Sequence, residues 1–84
     1  MIPEKTIVTI EAAGGFTKDF ELPLEVPLGK WKPSFLALLK QLDAGQFGSW
    51  QDLRLTCKGQ PVLPEETLAK HAAWDGSILK IERN

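Results

Sequence analysis

Cysteine and histidine are almost missing from this 84-residue chain, with one of each, and that scarcity removes several kinds of protein at once. A lone Cys57 cannot close an internal disulfide, and Cys57 with His71 falls short of the ligand set that a structural zinc requires. No cofactor or metal is expected, and a reducing cytosol is the natural setting. Net charge is nearly absent too, at −1. No run of like-signed residues is long enough to neutralise several phosphates or to hold an anionic lipid surface, so nucleic acid and membrane are poor partners. No apolar stretch approaches the ~20 residues that span a bilayer. Met1 to Lys5, with Pro3 and Glu4, carries no secretory pattern before the first strand. A P-loop, a dinucleotide glycine pattern and a serine elbow are all missing, and Gly14-Gly15 alone signals only a turn.

What is present suits one small domain over residues 1–84. Hydrophobic residues make up 43% and charged residues 25%, with three tryptophans and four phenylalanines. A chain of this size buries only roughly 60–65% of its unfolded surface, enough for one core and not for two. Thr6 to Glu11 is a β-branched run whose period of two sends Val8 and Ile10 to one face, Ile7 and Thr9 to the other. After Gly14-Gly15, Phe16 to Leu22 alternates again, with Phe20 and Leu22 opposite Asp19 and Glu21, so an opening hairpin is predicted. Pro23 and Pro27 lack the amide hydrogens of a central strand and end it.

Trp31, Phe35, Leu38, Leu39 and Leu42 recur at helical spacing. Pro33 is tolerable only in a first turn, which predicts a helix from about Lys30–Lys32 to Asp43. Gly45 and Gly48 break it, leaving a loop in which Phe47 and Trp50 plug the helix end onto a sheet. Leu53 to Lys58 alternates with Leu53, Leu55 and Cys57 inward. Gly59-Gln60 then turns the chain into a short segment at Val62-Leu63, and Pro64 to His71 can form a helical turn. Asp75-Gly76 has tight-turn chemistry, and Ser77 to Glu82 is a closing strand. Hairpin, helix and three further strands, with the last parallel to the first, make an α+β chain of the β-grasp kind: a mixed sheet of four or five strands on one helix. Trp31, Phe35, Leu39 and Leu42 should face Val8, Ile10, Phe20, Leu55, Leu79 and Ile81.

The run Leu53-Arg-Leu-Thr-Cys-Lys-Gly-Gln-Pro-Val-Leu, through Thr67-Leu68 to Ser77-Ile-Leu-Lys-Ile, resembles the carboxyl-terminal half of ubiquitin. Gly59, Thr67, Leu68, Ser77, Leu79 and Ile81 stand at matching positions. Within that superfamily the chain is most similar to the small bacterial YukD-type proteins of type VII secretion systems, on Val8-Thr-Ile-Glu, Asp19-Phe-Glu-Leu, Pro27-Leu, Leu68, Asp75-Gly76 and Leu79-Lys-Ile81. The resemblance implies a non-enzymatic protein that binds other proteins, expected as a monomer and as an accessory component of such a secretion system. The alternative it leaves open is a ubiquitin-like modifier or sulfur carrier, whose terminal Gly-Gly is absent from Ile81-Glu-Arg-Asn84. Where ubiquitin carries an aliphatic patch, this chain has Thr56 and Glu82 with Lys80 between them, so ubiquitin's usual receptors are not expected to bind.

Residues with chemistry each have a plain structural role beside the active one. Cys57 and His71 could pair as nucleophile and base, but the inward phase of Cys57 makes it a small core residue and His71 fits a local hydrogen bond. Glu65 and Glu66 are adjacent, do not face one another across a cleft as an acid–base pair would, and read as solvated. Trp31 and Trp50 are read as packing residues. Trp74, beside the Asp75-Gly76 turn, either covers the core rim or is an exposed contact anchor. Ile7 and Ile78 become neighbours on the outer sheet face if the first and last strands pair. Arg54, Thr56, Lys58 and Lys80 would then give that apolar spot a basic border, either a protein-docking face or ordinary scattered exposure.

Overall fold

The computed structural model describes residues 5–84, so the reading of Met1 to Glu4 lies outside the described residues. β1 (Lys5–Ala12) and β2 (Phe16–Pro23) form the predicted hairpin, with Val8 opposite Phe20 and Ile10 opposite Lys18. Gly14 and Gly15 close it in a 3₁₀ turn at φ values of 78° and 80°, where a Cβ would be strained. α1 (Leu28–Leu42) and the single-turn α2 (Ala44–Phe47) follow, then β3 (Leu53–Cys57), β4 (Gln60–Val62), a 3₁₀ turn at Ala69–His71, and β5 (Ile78–Arg83). The sheet order is β2-β1-β5-β3-β4. β1 and β5 are parallel, and the other neighbours antiparallel. This is the β-grasp arrangement with five strands.

Helix α1 begins earlier than its side chains suggest, because tertiary contacts satisfy its free amino-terminal amides. Leu28 N–H donates to the Glu66 carbonyl at 2.9 Å and Gly29 N–H to the Pro64 carbonyl at 2.8 Å, meeting donors that a helix start otherwise leaves to water or a cap. A Cβ on Gly29 would stand 3.2 Å from that Pro64 oxygen, so glycine permits the approach. Pro33 consequently lies beyond the first turn and takes one intrahelical donor away from α1.

Val8, Ile10, Leu39, Phe47, Leu53, Leu55, Leu68, Leu79 and Ile81 are almost fully buried. Leu42 corrects the predicted core: it is 45% exposed. Phe47 and Trp50 occupy the space beneath the helix end instead, edge to face at 4.8 Å, as the plug reading required. The loop that carries them is partly helical, since the Asp43 carboxylate accepts from Gln46 N–H at 3.0 Å and caps α2. Trp31 is buried, its indole N–H bonded to the Val26 carbonyl.

Candidate functional site

The sheet's outer face is built from the phase of each strand that the core does not use. Ile7 and Ile78 point outward and are 49% and 52% exposed. Thr9 lies opposite Ile78 in the parallel β1–β5 pair, and Gly76 N–H donates to the Ile7 carbonyl, which brings the two isoleucines to the same end of the face. Trp74 joins them through the turn that precedes β5. Ser77 N–H donates to the Trp74 carbonyl and the Ser77 hydroxyl accepts from Trp74 N–H, at 2.9 and 3.0 Å. One Asp75 carboxylate oxygen accepts from the Thr6 hydroxyl and from Ile7 N–H, each at 2.9 Å. Those bonds hold the Asp75 carboxyl below the usual carboxylate range, Ile7 N–H contributing most, and bolt the turn to β1. Trp74 is exposed, at 61%, and does not cover the core rim.

Lys58 corrects a sequence expectation. It does not continue the β3 alternation but sits with Gly59 in a two-residue turn, at φ values of 53° and 81°. Cys57 pairs directly with Gln60 across it, the hairpin geometry that requires positive φ at both central positions. From there its ammonium reaches the Ala72 carbonyl at 3.2 Å and lies 4.5 Å from the Trp74 ring centroid. This cation–π contact ties the indole to the β3–β4 turn.

The basic border is broken by acids that only the sheet order brings in. Arg54 is opposite Glu82 and bridged to it at 3.1 Å, and Lys80 lies between Thr56 on β3 and Glu11 on β1. Asp19 accepts from the Thr9 hydroxyl at 2.7 Å, and Lys5 approaches Glu21 at 3.8 Å. Arg54, Thr56 and Lys80 thus belong to a mixed-charge stretch, while Ile7, Ile78, Trp74 and Lys58 gather at the opposite end.

The Cys57 thiol meets the His71 backbone carbonyl at 3.8 Å and makes no hydrogen bond to the imidazole. Cys57 is 1% exposed and burial pushes its thiol up, against the weaker opposing pull of Lys58. The His71 ring turns to Glu66, 2.8 Å from its carboxylate, so the local hydrogen bond is the one observed. Glu66 is another correction: its side chain is only 13% exposed and accepts from Leu63 N–H, His71 and Lys70 at 2.9, 2.8 and 3.0 Å. These contacts, Leu63 N–H foremost, hold its carboxyl down at about 2. The 63–71 segment that receives the start of α1 is thereby fixed. Nothing in the sequence except the spacing of Glu66 from His71 hinted at this. Among the described residues no group of three His, Cys, Asp or Glu side chains could hold a metal ion, and no helix is long and apolar enough to cross a membrane.

No family model matches the sequence, and no curated protein matches it. Solved structures do. The ubiquitin-like domain of the Mycobacterium tuberculosis type VII secretion system protein EccD1 is similar at 24% identity and a TM-score of 0.75, covering 92% of this chain and 96% of that domain. A chain of the MycP5-free ESX-5 inner membrane complex is similar at 18% identity and a TM-score of 0.76; 95% of this chain is covered but only 21% of that one. Caldiarchaeum subterraneum ubiquitin is similar at 20% identity and a TM-score of 0.64, with 95% and 94% covered. These likenesses establish the ubiquitin-like β-grasp fold.

Proposed function

We propose that the chain is a single-domain, non-catalytic ubiquitin-like module that serves a type VII secretion machine from the cytoplasm by docking another protein. One observation carries the docking role: Ile7, Ile78 and Trp74 are all about half exposed or more and are drawn together by the Asp75-Gly76 turn. Covering such side chains returns roughly 25 cal/mol for each Å² of apolar surface removed from water. An indole already held by Lys58 loses less conformational freedom on binding than a free one, and tryptophan is among the residues that dominate interface energies. Likeness to the EccD1 domain and to a chain of the ESX-5 inner membrane complex supports a secretion setting, and the unpaired Cys57 suits a reducing compartment.

The test is affinity capture from the source organism with wild-type protein and Ile78→Glu, folding being checked by circular dichroism. Wild type should retain components of a secretion complex and Ile78→Glu should lose them, because a carboxylate would have to be desolvated where an aliphatic group packed. Equal capture by a folded Ile78→Glu protein would remove this face from consideration. Recovery of covalent adducts joined through the chain's carboxyl terminus would favour the modifier reading instead.

A further inference from the structure

A second surface, independent of the Ile7–Ile78–Trp74 face, lies along β2. This strand is one margin of the sheet and is eight residues long. Every second residue of a margin strand turns its N–H and C=O away from the neighbouring strand, and sheets ordinarily keep such margins short, bulged or covered. The opposite margin, β4, has three residues and includes Pro61. Among the described residues only β2 offers a long open ladder.

On the helix side of that ladder β2 meets α1 through Phe20 and Phe35, and we read the space beside that contact as a trough. Phe16, Lys18, Phe20 and Leu22 share the inward phase, and Lys18 stands directly opposite the fully buried Ile10. Phe20 meets Phe35 at 5.2 Å and Phe16 meets Phe47 at 5.0 Å. Lys18, between them, therefore faces the carboxyl-terminal half of α1. On the helix, Trp31, Phe35, Leu38 and Leu42 form one stripe at alternating spacings of four and three. Its first half is buried, with Phe35 against Phe20 of β2, whereas Leu38 and Leu42 are 41% and 45% exposed. The other flank of α1 is turned to β3, where Lys32 bridges Asp52 at 2.8 Å. Exposed leucines, an open strand and a central lysine thus meet along one line.

Charge narrows the occupant. Lys18 makes no salt bridge among the described residues, and α1 carries Lys30, Lys32 and Lys40 with no acidic residue. A second copy of this chain is a poor fit. With both helices on the same side of a joined antiparallel sheet, the central registers set Lys18 against Lys18, Asp19 against Asp19, or Asp19 against Glu21, and like charges directly opposite destabilise a pair. We propose that β2 accepts an extended segment of a different protein as an added strand, with trough-facing residues that run apolar, acidic, apolar at alternate positions. The apolar pair covers Phe16, Leu38 and Leu42, and the carboxylate meets Lys18. The segment's outward residues lie beside Thr17, Asp19 and Glu21, so they are neutral or basic.

The probe is an acetylated, amidated heptapeptide, Thr-Leu-Thr-Glu-Thr-Leu-Thr, titrated into the isotopically labelled chain and followed by amide NMR shifts and hydrogen exchange. Saturable shifts at residues 16–23 and at Leu38 and Leu42, with slowed exchange in β2, are expected. Lysine in place of the peptide's glutamate should weaken binding by about tenfold or more. Lys18→Glu should reverse that preference and Lys18→Gln should abolish it, both in proteins whose spectra show the native fold. Ile78→Glu should leave peptide binding unchanged, which separates this surface from the sheet face. Absence of saturable shifts, equal binding of both peptides, shifts centred elsewhere, or self-association through β2 without peptide would each overturn the proposal.

Discussion

Replacing Leu39 by alanine removes an isopropyl group from a side chain with no exposed surface, on the face of α1 that meets the sheet. Losing roughly three buried carbons at about 0.8 kcal/mol each gives a transfer cost near 2.4 kcal/mol. The cavity left in a close-packed core raises the total to about 2.7–5 kcal/mol, according to how far the surroundings collapse. Small domains are stable by only about 5–15 kcal/mol, so this one change consumes a large share. Leu38→Ala is the control: it trims the same group one residue away, from a side chain 41% exposed, and should cost under about 1 kcal/mol. Urea unfolding followed by tryptophan fluorescence measures both, with an unchanged m-value showing that midpoint shifts report stability alone. Equal losses for the two variants, or a loss below about 1 kcal/mol for Leu39→Ala, would refute the helix phase and with it the core.

Acid should weaken the anchoring of the 63–71 segment in a defined window. The Glu66 carboxyl is depressed from its ordinary 4.5 to about 2, so its stabilising effect is full above 4.5 and is lost as pH falls towards 2. Glu66→Gln should therefore flatten the stability–pH curve between those values in urea midpoints, and parallel curves for the two proteins would show that the contacts with Leu63, His71 and Lys70 do not form in solution. Buried Cys57, its thiol pushed up, should resist a thiol reagent in the folded protein and react at a rate that follows global opening. Fast labelling under native conditions would contradict its burial beneath the sheet.

Periodicity in the sequence determined which elements exist and which face of each is apolar, because the alternation of two in Val8, Ile10, Leu55, Leu79 and Ile81 and the helical stripe through Leu39 are set by local backbone geometry alone. Turn chemistry did the same at Gly14-Gly15 and Asp75-Gly76. Only the tertiary structure decided what depends on residues distant in sequence. Helix α1 starts at Leu28 because the carbonyls of Pro64 and Glu66 receive its first amides, and Leu42 reaches solvent because Phe47 and Trp50 fill the space that its stripe would have taken. Glu66 is engaged because Leu63, Lys70 and His71 converge on it. Strand by strand, Arg54, Lys58 and Lys80 read as a basic border. The order β2-β1-β5-β3-β4 interleaves them with Glu11 and Glu82, and the positive φ of Lys58 swings its ammonium onto Trp74. A strand's sequence fixes the alternation of its own side chains, but the charges beside them belong to whichever strand packs next to it, and that is settled only when the core closes.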